Sequence, residues 1–164
     1  MTLTKQEIRE LLARISKSIS KVYELDRYLI DNEVHERTIV GRFAIYFQEE
    51  LNQCGYSHYN MDIEYNRNYS GKKQTNNFKD GTLPDVIVHN RGSNDYNLCI
   101  IEFKTGWGES NDRDLSKLKD FTNENDRYKY GIGYSITINH DSVIIQQVEK
   151  GLITGNPIRS EVLA

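Results

Sequence analysis

No hydrophobic run among the 164 residues approaches the length of a bilayer span, and no charged-then-apolar leader opens the sequence. A membrane partner is therefore not expected, and the expected address is intracellular and cytoplasmic. An excess of positive charge is also lacking. At a formal net charge of −3 the chain does not read as a protein that coats nucleic acid by charge alone. That balance leaves room for an enzyme with an acidic metal site, because a bound divalent ion reverses the sign of the local field. Cysteine is scarce. Cys54 and Cys99 have no metal-ligand spacing, and Cys99 lies in an apolar run, so two reduced thiols are expected rather than a disulfide framework. The four histidines (His35, His58, His89, His140) show no zinc-ligand spacing. Internal repeats and low-complexity segments are absent too.

What remains is the composition of a globular domain, 37% hydrophobic and 27% charged. Its length suits a single domain over residues 1–164. Ile8, Leu11, Leu12, Ile15, Ile19, Val22 and Leu25 recur at helical steps, and Thr4 with Glu7 forms a capping-box pattern. A second helix is predicted from after Asn32 to about Asn52, with Val40, Phe43, Phe47 and Leu51 on one stripe and Gly55 as a stop. Met61, Ile63 and Tyr65 alternate with polar residues as in a strand. Residues 68–83 read as one long loop, a length often associated with function or mobility.

Strands follow near 84–89 and 97–104, then a helix over about 112–124 with Leu115, Leu118 and Phe121 inward. A strand over 128–138 comes next, with Tyr130, Ile132, Tyr134, Ile136 and Ile138 on one face and Gly131 and Gly133 on the other, where they would let a helix lie close. A last strand is predicted at SVIIQQV, and no pattern is read in the tail from Glu149. This order predicts an α/β fold, a mixed β-sheet flanked by helices.

The stretch LPDVIVHNRGSNDYNLCIIEFK concentrates the chemistry. If its two apolar runs pair as an antiparallel hairpin centred on the polar turn, Val86 faces Ile101 and Val88 faces Cys99. The same register sets Asp85 opposite Glu102, with Cα atoms roughly 4.5–5.5 Å apart. Two facing carboxylates repel, so they need a cation between them or a shared proton. Lys104, on the same face as Glu102, would relieve part of the repulsion. Mg²⁺, which takes carboxylate, water and phosphate oxygens, would relieve more. Glu36 heads the apolar stripe of the second helix, where an unpaired charge is costly, so it is a candidate to share that cation. Arg37 points elsewhere on this helix, toward a phosphate in the functional reading.

Pro84-Asp85 followed by Glu102-x-Lys104 resembles the PD-(D/E)XK phosphodiesterases, the restriction-endonuclease-like nucleases. HER at 35–37 and EYNR at 64–67 also resemble segments of small uncharacterised bacterial members. The likeness covers about residues 32 to 138. It leaves residues 1–30 as a helical extension and 139–164 as a C-terminal strand and tail. It implies an αβββαβ core with an added N-terminal helix, and Mg²⁺ or Mn²⁺ held by Asp85, Glu102, the carbonyl of Phe103 and Glu36. It further implies that Lys104 orients or deprotonates a water that attacks a phosphodiester of nucleic acid, with DNA expected.

Arg67, Lys72, Lys73 and Lys79 surround the long loop and either grip a phosphate backbone or stand in solvent. Glu64 is read as a solvated strand residue or as a further ligand. TGWGES, with Trp107, is a substrate-lining turn or a core anchor. Two alternatives remain open. One is a non-catalytic binding module on the same fold, and the other a helix-mediated oligomer. The long amphipathic first helix fits either, docking on a partner protein or on a second copy.

Overall fold

The computed structural model describes residues 2–108 and 113–162. Helix α1 (Lys5–Leu25) opens with the expected capping box: the Thr4 hydroxyl accepts from Glu7 N at 3.2 Å and the Glu7 carboxylate accepts from Thr4 N at 2.7 Å. A short α2 (Arg27–Asp31) leads into α3 (Glu36–Gln53). Strand β1 (Asn60–Ile63), a ribbon of β2 (Arg67–Asn68) and β3 (Gly71–Lys72), β4 (Val86–His89) and β5 (Cys99–Thr105) follow. Then come α4 (Arg113–Thr122), β6 (Ile132–Ile138), β7 (Ser142–Glu149) and β8 (Leu152–Glu161). Six strands form one mixed sheet in the order β1-β4-β5-β6-β7-β8. Only β5 and β6 are parallel, joined by the crossover that carries α4.

Because side chains alternate across a strand, the sheet has two differently covered faces. On one, Val86, Val88, Cys99, Ile101 and Phe103 pack with Tyr134 and Ile136 against α1 and α3. On the other, Ile87 and Ile100 pack with Leu118, Phe121, Tyr128 and Tyr130 under α4. A Cβ added at Gly133 would stand 3.2 Å from Leu118 and 3.3 Å from Thr122, so this glycine does let α4 lie on β6. The β4–β5 register is the one expected, Val86 with Ile101 and Val88 with Cys99.

Four expectations change. The N-terminal helix is no appendage: Leu11, Ile15, Ile19 and Val22 are buried in the main core against α3, which removes the apolar face reserved for a partner or second copy. The 68–83 segment is no open loop. Residues 67–68 and 71–72 pair, and the Thr75 hydroxyl and Asn77 side chain bond Asp120 of α4. Tyr130 precedes β6 and joins the α4-side core rather than the face of Tyr134. The tail forms strand β8, joined to β7 by the two-residue turn Lys150-Gly151 with φ values of 52° and 79°. Positive φ at both positions suits a tight hairpin, so the turn rather than any alternation of burial specifies that strand. Asp112 at the start of the predicted third helix, and Glu109 and Ser110 of TGWGES, lie outside the described residues. Trp107 is an anchor: its indole donates to Val34 O at 3.2 Å and its ring lies 5.2 Å from that of His140. No helix among the described residues is long and apolar enough to cross a membrane.

Candidate metal centre and the cavity beside it

Asp85, Glu102 and Lys104 occupy the sheet face covered by α4. Asp85 sits one residue before the paired part of β4, and its carboxylate accepts the Phe103 N–H at 2.7 Å. A backbone donor that would otherwise end the ladder thus orients the acid. The N–H and C=O of a strand residue point to the same edge, so the Phe103 carbonyl also faces Asp85. Burial pushes the Asp85 carboxyl above its ordinary range, against the lowering by the Phe103 N–H and Lys117.

Glu102 is only 1% exposed. Its Oε2 accepts from Lys117 Nζ at 2.7 Å, while its Oε1 is buried with no hydrogen-bond partner. Burial first, and Asp85 second, raise this carboxyl well above its usual range, and Lys117 offsets only part of that. Lys117 itself stays protonated, because attraction to Glu102 and Asp114 outweighs the burial that would strip its proton.

Glu36 reaches this group from the first turn of α3. His35 caps that helix, its ring accepting from Arg37 N at 3.3 Å. The Glu36 carboxyl is half-buried and also raised, by burial and then by Asp85 and Asp114, against a lowering by the Thr105 backbone and Lys117. Of the predicted residues, Asp85 therefore lies within electrostatic reach of both Glu102 and Glu36.

Asp114 and Lys117 were not anticipated. Asp114 bonds Lys117 at 3.1 Å and Lys104 at 3.5 Å, so Lys104 is drawn to α4 rather than to Glu102. The sequence held a signal for both. Asp114, Lys117, Leu118 and Phe121 share one helical stripe, and charges at the head of a buried stripe are the same cue that marked Glu36.

A cavity of about 500 Å³ opens beside the acids, between the 66–83 segment and α4. Arg67, Lys72, Lys73, Arg113 and Lys117 line it, with Asp80 and the Phe78 ring. Lys117 both lines this cavity and bonds a candidate acid. Lys73 needs correction as a backbone-gripping surface lysine. It is 2% exposed, its Nζ donates to Tyr130 OH at 3.1 Å, and it lies 4.8–5.6 Å from the ring centres of Tyr65, Phe121, Tyr128 and Tyr130. Arg37 and Glu64 pair with each other at 2.8 Å.

The donor chemistry fits a hard divalent cation: carboxylates of raised pKa and an orphaned buried oxygen. As placed, however, no three His, Cys, Asp or Glu side chains among the described residues gather closely enough to hold a metal ion. Asp85 has committed one oxygen to Phe103 N, and Glu102 has Lys117 as its counter-ion. No protein-family model, curated protein or solved structure matches the chain.

Proposed function

We propose that this protein hydrolyses phosphodiester bonds of nucleic acid, DNA first among the candidates, in a Mg²⁺- or Mn²⁺-dependent reaction on a restriction-endonuclease-like core. The order α3, β1, β4, β5, α4, β6 supports that reading of the core, with the β2–β3 ribbon as an insertion. The observation that carries the activity is the meeting, at Lys117, of a buried acid cluster and a cation-lined cavity. Acids alone would repel a phosphate and bases alone would only bind one. Together they place an anionic substrate next to carboxylates suited to a divalent ion.

Asp85, Glu102 and Glu36 would hold the ion, with the Phe103 carbonyl at the same edge. The bound ion would supply charge to stabilise the phosphate oxygens and would make a bound water more acidic than bulk water. Arg67 and Lys72 would hold the substrate's phosphates. Lys104, held beside Asp114, would orient the attacking water.

Purified protein should nick or degrade DNA with Mg²⁺ or Mn²⁺, stop in EDTA, and lose cleavage in Glu102→Ala and Lys104→Ala. Equal activity in those variants would overturn the reading. One observation favours a second reading, a nucleic-acid-binding module without catalysis: Lys117 already pairs with Glu102 without metal. That module would retain DNA in a filter-binding assay, show no Mn²⁺ heat at millimolar concentration and cleave nothing.

A further inference from the structure

We propose that Lys117 is the resident counter-cation of the acid cluster, and that a divalent ion binds by displacing its ammonium from Glu102. This inference rests on the metal-dependent reading above and concerns how the site becomes loaded. Glu102 is sealed from solvent, so its ionised form needs positive charge close by. Lys117 supplies part of that charge at 2.7 Å, and it also bonds Asp114 at 3.1 Å. With the ammonium there, a doubly charged ion entering between Asp85 and Glu102 would meet a positive neighbour at close range.

The lysine has somewhere to go. Its side chain is 17% exposed and lines the 500 Å³ cavity, so a change of rotamer carries the ammonium from the acids toward the cavity. A flexible four-carbon stem permits this where a short or rigid cationic group would not. Displacement frees Glu102 Oε2 beside the unpartnered Oε1, making both oxygens available at once. In this position Lys117 is a positioning residue that sets when the ligands become available.

The test is Mn²⁺ binding by titration calorimetry on wild type, Lys117→Met, Lys117→Arg and Glu102→Gln, each confirmed folded by circular dichroism. Removing the competing charge should tighten Mn²⁺ binding about tenfold or more in Lys117→Met. Lys117→Arg should bind no more tightly than wild type, and Glu102→Gln should lose binding. Unchanged or weaker binding in Lys117→Met, with loss in Glu102→Gln, would overturn the displacement while leaving the metal site standing. Absence of Mn²⁺ binding in both wild type and Lys117→Met would overturn the displacement together with the metal-dependent reading.

A second measurement does not depend on the variants folding. In wild type, the Lys117 ζ-ammonium NMR signal should be slow to exchange without metal and should exchange rapidly with water once Mg²⁺ saturates. A signal that stays protected at saturation would refute displacement.

Discussion

Glu50 on α3 and Glu102 on β5 are the two glutamates fully sealed from water among the described residues, and their surroundings differ in sign. Glu50 faces three cations from one stripe of α1: Arg14 at 3.3 Å, Lys17 at 2.9 Å and Lys21 at 3.3 Å. Burial pushes its carboxyl up, but the three cations prevail and hold it below its ordinary range. Glu102 faces one lysine together with Asp85 and Asp114, and its carboxyl is driven well up. Burial of an acid is therefore not what marks a site. A buried acid with surplus positive neighbours is a fastener between helices, here α1 to α3. A buried acid short of positive charge holds a place for a proton or another cation.

The sharpest break of this comparison is Glu102→Gln. Cleavage should fall by about a thousandfold or more, since a neutral amide neither balances a divalent ion nor ligates it well. The melting temperature in EDTA should stay level or rise, because the substitution removes a charge the fold accommodates poorly. Glu50→Gln should do the reverse. It strands three cations without their carboxylate, so cleavage per folded molecule should persist while the thermal midpoint drops by roughly 5 °C.

Proton linkage sharpens the same contrast. The folded Glu102 carboxyl lies above its unfolded value of about 4.5, so its stabilising contribution is present at low pH and lost as pH climbs through and beyond that value. The folded Glu50 carboxyl lies below 4.5, so its contribution is present above that pH and lost as pH falls through the lower folded value. Thermal melts in EDTA from about pH 3 to 9 should therefore show two separable limbs. Glu102→Gln should flatten the limb that falls above pH 4.5 and Glu50→Gln the one below it. An upper limb that survives in Glu102→Gln would assign it elsewhere.

The smallest effect concerns Lys73, a cation buried among rings rather than acids. Burial lowers its pKa from 10.5 to about 8. The unfolded chain thus binds more protons between those values, so the cost of burying this amine is full below pH 8 and fades as pH rises toward 10.5. Lys73→Met should stabilise the protein by about 2 kcal/mol at pH 7, with the gain shrinking across that window. Denaturant melts at pH 7 and pH 10 check it. Attraction to the four rings works against the gain, and no gain at pH 7 would show that the rings fully offset the burial.

Several features were legible in the chain because they depend on neighbours along it. The Thr4–Glu7 capping box, the helical stripes of α1 and α3 and the β4–β5 register follow from spacing, turn position and the two-residue period of a strand. The same period placed Asp85, Glu102 and Lys104 on one sheet face. Only the tertiary structure decided which charges meet them. α4 returns over that face through a crossover, and no local rule says that Asp114 and Lys117 land on Lys104 and Glu102. Lys73 reads as a loop lysine until Tyr65, Phe121, Tyr128 and Tyr130 close around it from distant parts of the chain. The first helix shows its apolar stripe in sequence, but that stripe faces α3 and the sheet. Periodicity says which side of an element avoids water, while the identity of what covers it is set by packing between segments far apart in sequence.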